Sequence, residues 1–88
     1  MKIKQGFYLK KVEDQLVIVC DKELDPSFNA VITLNDTTAY LWEMLINGTP
    51  TKEDMLNGLL GKFDISAVLA LSDIDVFIRT LKENGILE

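Results

Sequence analysis

The chain contains no histidine and one cysteine, Cys20, among its 88 residues. Without imidazole it has no base that titrates near neutral pH, no Ser-His or Cys-His pair and no histidine metal ligand. One cysteine forms neither an internal disulfide nor a cysteine metal cluster. We interpret Cys20, at the end of a hydrophobic run, as a buried, inert thiol. The sequence therefore predicts no catalytic residue, no metal site and no bound cofactor.

Long apolar runs are also missing. None is longer than the five residues of Leu16–Cys20, far short of the roughly 20 residues that a membrane-spanning helix needs. Lys2 and Lys4 give the N-terminus positive charge, but no apolar segment follows them, so we expect no signal peptide. A single cysteine also fits a reducing compartment. These features favour a cytoplasmic protein with no membrane partner.

Positive charge is scarce. Nine Lys and Arg residues stand against 14 Asp and Glu, and the formal net charge is −5. This balance argues against a nucleic-acid partner, since binding phosphates requires a positive surface. The five glycines form neither a P-loop nor a dinucleotide-binding pattern. With 48% hydrophobic and 26% charged residues, the composition is typical of one globular domain over residues 1–88.

The pattern of the chain changes at Asn35, from strand-like segments to helical spacing. Asn35 and Thr51 are typical N-cap residues, because their short polar side chains accept hydrogen bonds from the first helical turn. The predicted strands cover residues 7–12, 16–20 and 28–34, and the predicted helices cover residues 36–47, 52–62 and 67–84. This order predicts an α+β fold of the winged helix-turn-helix type, with a three-stranded antiparallel β-meander followed by three helices.

Two surfaces stand out as candidate binding regions. The third predicted strand, residues 28–34, has no charge and no proline, and as an edge strand it could accept an added strand. On the third helix, Ile74 is at the centre of the core-facing stripe, and a second line of residues lies near the opposite side. That line comprises Leu69, Val76 and Thr80, with Asp73 and Glu83 beside it. It is interpreted as a groove, as ordinary surface or as a second stripe buried by a tilted helix, and the same helix could also cover the third strand.

Several segments together resemble the PqqD-like family, named for pyrroloquinoline-quinone biosynthesis protein D. The most extensive is the stretch from Phe28 to Leu45, FNAVITLNDTTAYLWEML. The others are Thr51–Asp54, Phe63–Ile65, Ser72–Ile78 and Leu81–Glu88. Together they cover nearly the whole chain. One departure is Ala30, where relatives often have glycine, and it adds only a methyl group to the strand.

The resemblance implies a RiPP recognition element, a non-catalytic domain of pathways that modify ribosomally made peptides. Such domains have a winged helix-turn-helix fold. They bind the leader of a precursor peptide as an added strand beside the third strand, and they present it to a modifying enzyme, often a radical SAM enzyme. Carried over to this sequence, the pairing edge consists of Ala30, Val31, Ile32 and Thr33. The groove on the third helix consists of Leu69, Asp73, Val76 and Thr80.

Two other functions compete with leader binding as readings of this sequence. A winged-helix nucleic-acid-binding domain or transcription regulator shares the fold class, but its recognition helix would offer Lys52 and Lys62 beside Glu53 and Asp54, with no arginine. A small enzyme is opposed by the missing histidine and the missing glycine loop. The predicted oligomeric state is a monomer or a weak homodimer, because an open edge strand can also pair with a second copy.

Overall fold

Three strands precede three helices in the computed structural model, which describes residues 1–88. The strands are β1 (Phe7–Val12), β2 (Gln15–Cys20) and β3 (Ile32–Leu34). The helices are α1 (Asp36–Asn47), α2 (Lys52–Lys62) and α3 (Ala67–Glu83). The predicted α+β fold class, an antiparallel meander followed by three helices, is confirmed.

The sheet has the order β1-β2-β3, and both neighbouring pairs are antiparallel. A two-residue turn joins β1 to β2, and Glu13 in that turn adopts a φ of 57°. A positive φ suits such turns because it matches the twist of the flanking strands. β1 and β3 are consequently the two edges of the sheet, with β2 between them.

Two of the three helices, α1 and α2, begin at reciprocal hydrogen bonds. The backbone N–H of Thr38 donates to the Asn35 side chain at 3.0 Å, and the Asn35 N–H donates to Thr38 Oγ1 at 2.9 Å. Thr51 and Asp54 form the matching pair at the start of α2. Asn35 directly follows Leu34, so the cap of α1 also determines where β3 ends.

One face of the sheet packs against the helices. Ile18 of β2 and Leu34 of β3 are buried in the same cluster as Ile74, which is fully buried at the centre of the core face of α3. The other large, completely buried side chains are Leu41, Leu45, Met55, Leu59, Leu81 and Ile86. The opposite face of the sheet has no helix against it.

The two ends of the chain are joined to each other. Ile3 forms an antiparallel bridge with Leu87, and the Lys4 N–H donates to the Ile86 carbonyl at 2.8 Å. The Asp21 N–H donates to the Gly6 carbonyl at 2.8 Å. These bonds link the residues after α3 to the beginning of β1 and the end of β2, which lie side by side in the sheet. The carboxyl end of α3 therefore lies at the end of the sheet where β1 begins and β2 ends.

The third strand is shorter than predicted, and residues 28–31 are not part of it. The ladder between β2 and β3 stops at the Ile18–Ile32 pair. Phe28 is instead buried edge-on against Phe7, with ring centroids 5.0 Å apart, and Lys22 Nζ donates to the Phe28 carbonyl. This packing draws the segment away from β2. The predicted assignment of Ala30 and Val31 to the strand is therefore wrong.

Two other element ends differ by one residue from the predicted positions. β2 begins at Gln15, because Gln15 pairs with Val12 across the turn. α3 ends at Glu83, and the side-chain amide of Asn84 donates to the Thr80 carbonyl at 2.8 Å. Asn84 thereby caps the helix instead of continuing it.

Candidate functional site

The two edges of the sheet differ in charge. β1 has Lys10 and Lys11 on its exposed surface, whereas β3 has the uncharged sequence Ile32-Thr33-Leu34. Lysine side chains on an edge strand discourage another strand from pairing there, and an uncharged edge lacks that protection. The edge of β3 is therefore the one that favours an added strand.

The four residues predicted to supply the pairing edge fall into two groups. Ile32 and Thr33 lie in β3, with Ile32 half-buried against the core and Thr33 exposed. Ala30 and Val31 lie in the preceding segment, where Ala30 packs against the core and Val31 is 85% exposed. In this structure only Ile32–Leu34 is paired with β2 as a strand.

A cavity of about 350 Å³ occupies the space between β2 and the segment that turns away from it. Continuing the ladder beyond Ile18–Ile32 would place Val19 opposite Val31, but this pair is not formed. The lining is mainly apolar and consists of Val17, Ile18, Val19, Cys20, Lys22, Phe28, Asn29, Ala30 and Val31. Residues 28–31 consequently lie beside an open apolar space and not against a paired strand.

The α3 residues predicted to line the groove lie on the flank of the helix away from α2. Asp75, on the opposite flank, forms an ion pair with Lys52 at the beginning of α2. Leu69 and Val76 are 59% and 54% exposed, which is high for large apolar side chains. Asp73, between them, and Thr80, one turn beyond Val76, are half-buried. These four residues are called the α3 stripe below.

The polar members of the α3 stripe differ in their bonding. The Thr80 hydroxyl donates to the Val76 carbonyl at 2.9 Å, so its donor is used within the helix. Asp73 has no ion pair, since the one ion pair in the structure joins Lys52 and Asp75. An unpaired carboxylate between two exposed apolar side chains suits a ligand that combines apolar groups with a positive charge.

β3 and α3 both contribute to the single hydrophobic core. Leu34 of β3 is buried in one cluster with Ile74 and Phe77 of α3, and Ile32 packs against that cluster. The bonds between the chain ends anchor the carboxyl end of α3 at the end of the sheet that residues 28–31 approach. The helix that supplies the stripe is therefore fixed relative to the sheet.

A second cavity, of about 650 Å³, was not predicted from the sequence. It lies at the β1 side of the molecule, where Leu9 and Leu16 approach α1 and the end of α2. Tyr40 and Phe63 line it and contact each other edge-on, with ring centroids 5.8 Å apart. Its lining comes from several separate elements, so no local pattern could reveal it.

The titratable groups form no cluster of three His, Cys, Asp or Glu that could hold a metal ion. Burial raises the pKa of the Cys20 thiol, as do the negative charges of Asp25 and Asp21, while Lys22 opposes them. A raised pKa disfavours the thiolate, the nucleophilic form of cysteine. No helix combines the length and apolar character needed to cross a membrane.

Comparisons with known proteins agree with one another. The model of the family described as coenzyme PQQ synthesis protein D (PqqD) matches residues 22–87. Among solved structures, TbiB1 in complex with the TbiA(beta) leader peptide is 18% identical, with a TM-score of 0.74 over the whole of this chain and 95% of that one. A lasso peptide synthetase B1 complexed with the leader peptide is 22% identical, with a TM-score of 0.73 over 99% of this chain and 95% of that one. No curated protein matches the sequence.

Proposed function

The chain belongs to the PqqD family, and on that premise we propose that it binds the leader of a ribosomally made precursor peptide and presents the peptide to a modifying enzyme. The family model covers most of the chain, including β3 and all three helices. The two similar solved structures, TbiB1 and a lasso peptide synthetase B1, are both described as complexes with a leader peptide. Their fold over nearly the full length of this chain supports the proposal.

The observation that carries the proposal is the uncharged edge of β3, together with the exposed apolar residues of the α3 stripe on a helix that shares its core. A peptide added to β3 as a fourth strand gains backbone hydrogen bonds, which do not depend on its sequence. Its alternate side chains point toward the helices, where Leu69 and Val76 provide exposed apolar surface. Backbone pairing thus supplies affinity, and the stripe supplies the selection of particular leaders.

Asp73 adds an electrostatic preference to this site. Asp73 is half-buried, lies within the α3 stripe and has no ion-pair partner. The net charge of −5 also attracts cationic peptides over a longer range. A leader with Lys or Arg is therefore steered toward the domain, and its binding weakens as the salt concentration rises.

The role proposed for the domain is binding without catalysis. It raises the effective concentration of the precursor peptide at the enzyme by holding both molecules at once. The chemistry then belongs to the partner, for which a radical SAM enzyme is one candidate. Pyrroloquinoline quinone is only one of the pathways in which such domains occur, and this chain need not belong to it.

No observation favours the nucleic-acid-binding alternative. The recognition helix of a helix-turn-helix corresponds to α2, whose first-turn cation Lys52 is already paired with Asp75. Glu53 and Asp54 lie in the same turn, and they repel phosphate. Lys62, at the other end of α2, is the one remaining cation of this helix.

The experiment that tests the proposal is a titration of the isotopically labelled domain with leader peptides encoded near its gene. NMR measures the change in the backbone amide chemical shifts at each step of the titration. Leader capture predicts saturable shifts at Ala30–Leu34 and at Leu69–Thr80. A scrambled leader of the same composition is the control, and it should produce no saturable shifts. Saturable shifts confined to other regions would reject this site, and no shifts with any leader, in the presence or absence of the enzyme, would reject the function.

A further inference from the structure

The sheet has one face that nothing covers, and its side chains form an apolar patch with a single charge. Residues directly opposite each other on paired strands share a face. Lys10, Val17 and Thr33 form one such row across the three strands, on the side away from the buried Ile18. The outer sheet face comprises Tyr8, Lys10, Val12, Gln15, Val17, Val19 and Thr33.

The apolar members of this face are accessible. Tyr8 and Val12 are 52% and 47% exposed, and Val17 and Val19 between the edges are only half-buried. The 350 Å³ cavity continues the apolar surface from Val17 and Val19 toward Val31. Scattered apolar residues are normal on a surface, but a continuous patch with an adjoining cavity is typical of an interface.

The charge of this face is opposite to that of the molecule as a whole. Four of the nine cationic residues lie within residues 1–12, and all 14 carboxylate residues follow Val12. The outer sheet face has Lys10 and no Asp or Glu. Lys11 lies on the other face of the sheet, opposite Leu16, and the turn carboxylates Glu13 and Asp14 lie at the end of the β1–β2 hairpin, outside the row of side chains. The face is therefore a cationic, apolar area on an acidic protein.

This charge pattern identifies the kind of partner. Two copies of the chain meeting face to face would place Lys10 of each against a surface with no carboxylate, and such a pair lacks charge complementarity. A complementary partner has an apolar patch that includes acidic side chains. The outer sheet face shares only Thr33 with β3 and no residue with the α3 stripe, so a leader paired with the backbone edge of β3 leaves Tyr8, Lys10 and Val12 free for a second protein.

We propose that the outer sheet face is the docking surface for an acidic, apolar patch on the modifying enzyme to which the leader is delivered. The identity of this partner depends on the function proposed above, whereas the character of the face does not. Lys10 supplies the electrostatic contact, and Tyr8 and Val12 supply the apolar contact. The domain can then present the peptide to the enzyme, because the leader-binding edge of β3 and the outer sheet face belong to the same sheet.

The test measures binding of the modifying enzyme encoded beside this chain's gene, by calorimetry at two salt concentrations. Lys10→Glu and Val12→Asp should each raise the dissociation constant at least tenfold, and Lys10→Arg should leave it within twofold of the wild-type value. Lys82→Glu, the same charge reversal in the last turn of α3, is the matched control and should have little effect. The salt dependence of binding should be weaker for Lys10→Glu than for the wild type.

Leader binding is measured separately for each variant, without the enzyme, together with thermal unfolding. Unchanged leader affinity and an unchanged unfolding temperature are expected, since both substitutions are on exposed positions of β1. Equal enzyme affinities for Lys10→Glu and Lys82→Glu would overturn this inference while leaving leader binding intact. Loss of leader binding in both β1 variants, or a changed oligomeric state with normal enzyme binding, would also overturn it. Failure of the wild-type chain to bind any leader would instead count against the proposed function.

Discussion

Ile18 of β2 and Ile32 of β3 form the last paired position of their ladder, and the chain before Ile32 leaves the sheet. Phe28 is held against Phe7, so residues 28–31 cannot follow β2 in the structure. A leader peptide that adds to this edge therefore meets three residues of strand and an apolar cavity beyond them. The predictions about leader binding follow from this short edge.

Methylation of leader backbone nitrogens should distinguish strand addition from other modes of binding. In an added strand, alternate N–H groups point toward β3 and the others point away. Methylating one inward N–H removes a hydrogen bond worth about 1 kcal/mol and should weaken binding roughly fivefold or more, as measured by calorimetry. Methylation at the adjacent outward positions is the control, and a uniform loss along the peptide would contradict pairing with β3.

Substitutions on the α3 stripe should separate binding from stability. Leu69→Glu and Val76→Glu each place a carboxylate on exposed apolar surface that a bound leader would cover, so we expect about a tenfold loss of leader affinity, about 1.4 kcal/mol. Because both positions are exposed, the free energy of unfolding should change by less than about 0.5 kcal/mol. Fluorescence titration and thermal unfolding measure the two quantities.

The matched control for these variants is Val68→Glu. Val68 is next to Leu69 in sequence and is also exposed, but it points about 100° away around the helix, outside the α3 stripe. Leader affinity should stay at the wild-type value in this variant. If all three variants lose affinity equally, the effect is one of net charge and the stripe is not the contact surface.

The two glycines within α2 should respond in opposite ways to alanine. A Cβ at Gly61 meets no atom within 4 Å, so Gly61→Ala should stabilise the protein by about 0.5–1 kcal/mol through helix propensity. A Cβ at Gly58 would lie 3.0 Å from Met44 Sδ and 3.1 Å from the Tyr40 ring. Tyr40 is also held against Phe63, so the close contact of the added Cβ with Met44 and Tyr40 offsets the gain in helix propensity.

Chemical denaturation of the two glycine variants tests this difference. The midpoint should rise for Gly61→Ala and should fall, or stay unchanged, for Gly58→Ala. An equal rise in both would mean that Met44 and Tyr40 move aside at no cost, which the packing around Gly58 argues against.

The reactivity of Cys20 should report the raised pKa of its thiol. Alkylation proceeds through the thiolate, and burial together with Asp25 and Asp21 disfavours that form. The pH midpoint of the reaction with iodoacetamide should therefore be higher for the folded protein than for the same chain unfolded in urea. A midpoint at or below that of the unfolded chain would show that Cys20 is exposed to solvent and free of these charges.

The sequence alone predicted the fold class and the positions of the helices. Helices depend on local signals: the caps at Asn35 and Thr51 and the apolar spacing around Ile74 are all visible within a few residues. The bounds predicted for α1 and α2 coincide with the structure, and α3 differs by one residue. The charge contrast between the two edge strands could also be predicted, because it requires only the order of the strands.

The extent of β3 was decided by tertiary structure. The segment from Phe28 to Leu34 has a continuous strand-like pattern, and nothing in it indicates a break at Val31. The break arises because Phe28 packs on Phe7, a residue 21 positions earlier, and because Lys22 binds the Phe28 carbonyl. Contacts between distant residues overcome local strand preference, which is itself weak and dependent on context.

The surfaces of the protein depend both on the local sequence pattern and on the tertiary structure. The α3 stripe follows from helical geometry, so the sequence alone could place Leu69, Asp73, Val76 and Thr80 on one side of the helix. The outer sheet face required the register of three strands, because a shift of one residue would exchange Lys10 for Leu9 or Lys11 on that face. Local periodicity thus determines which side chains lie together on one element, and packing determines which elements share a surface.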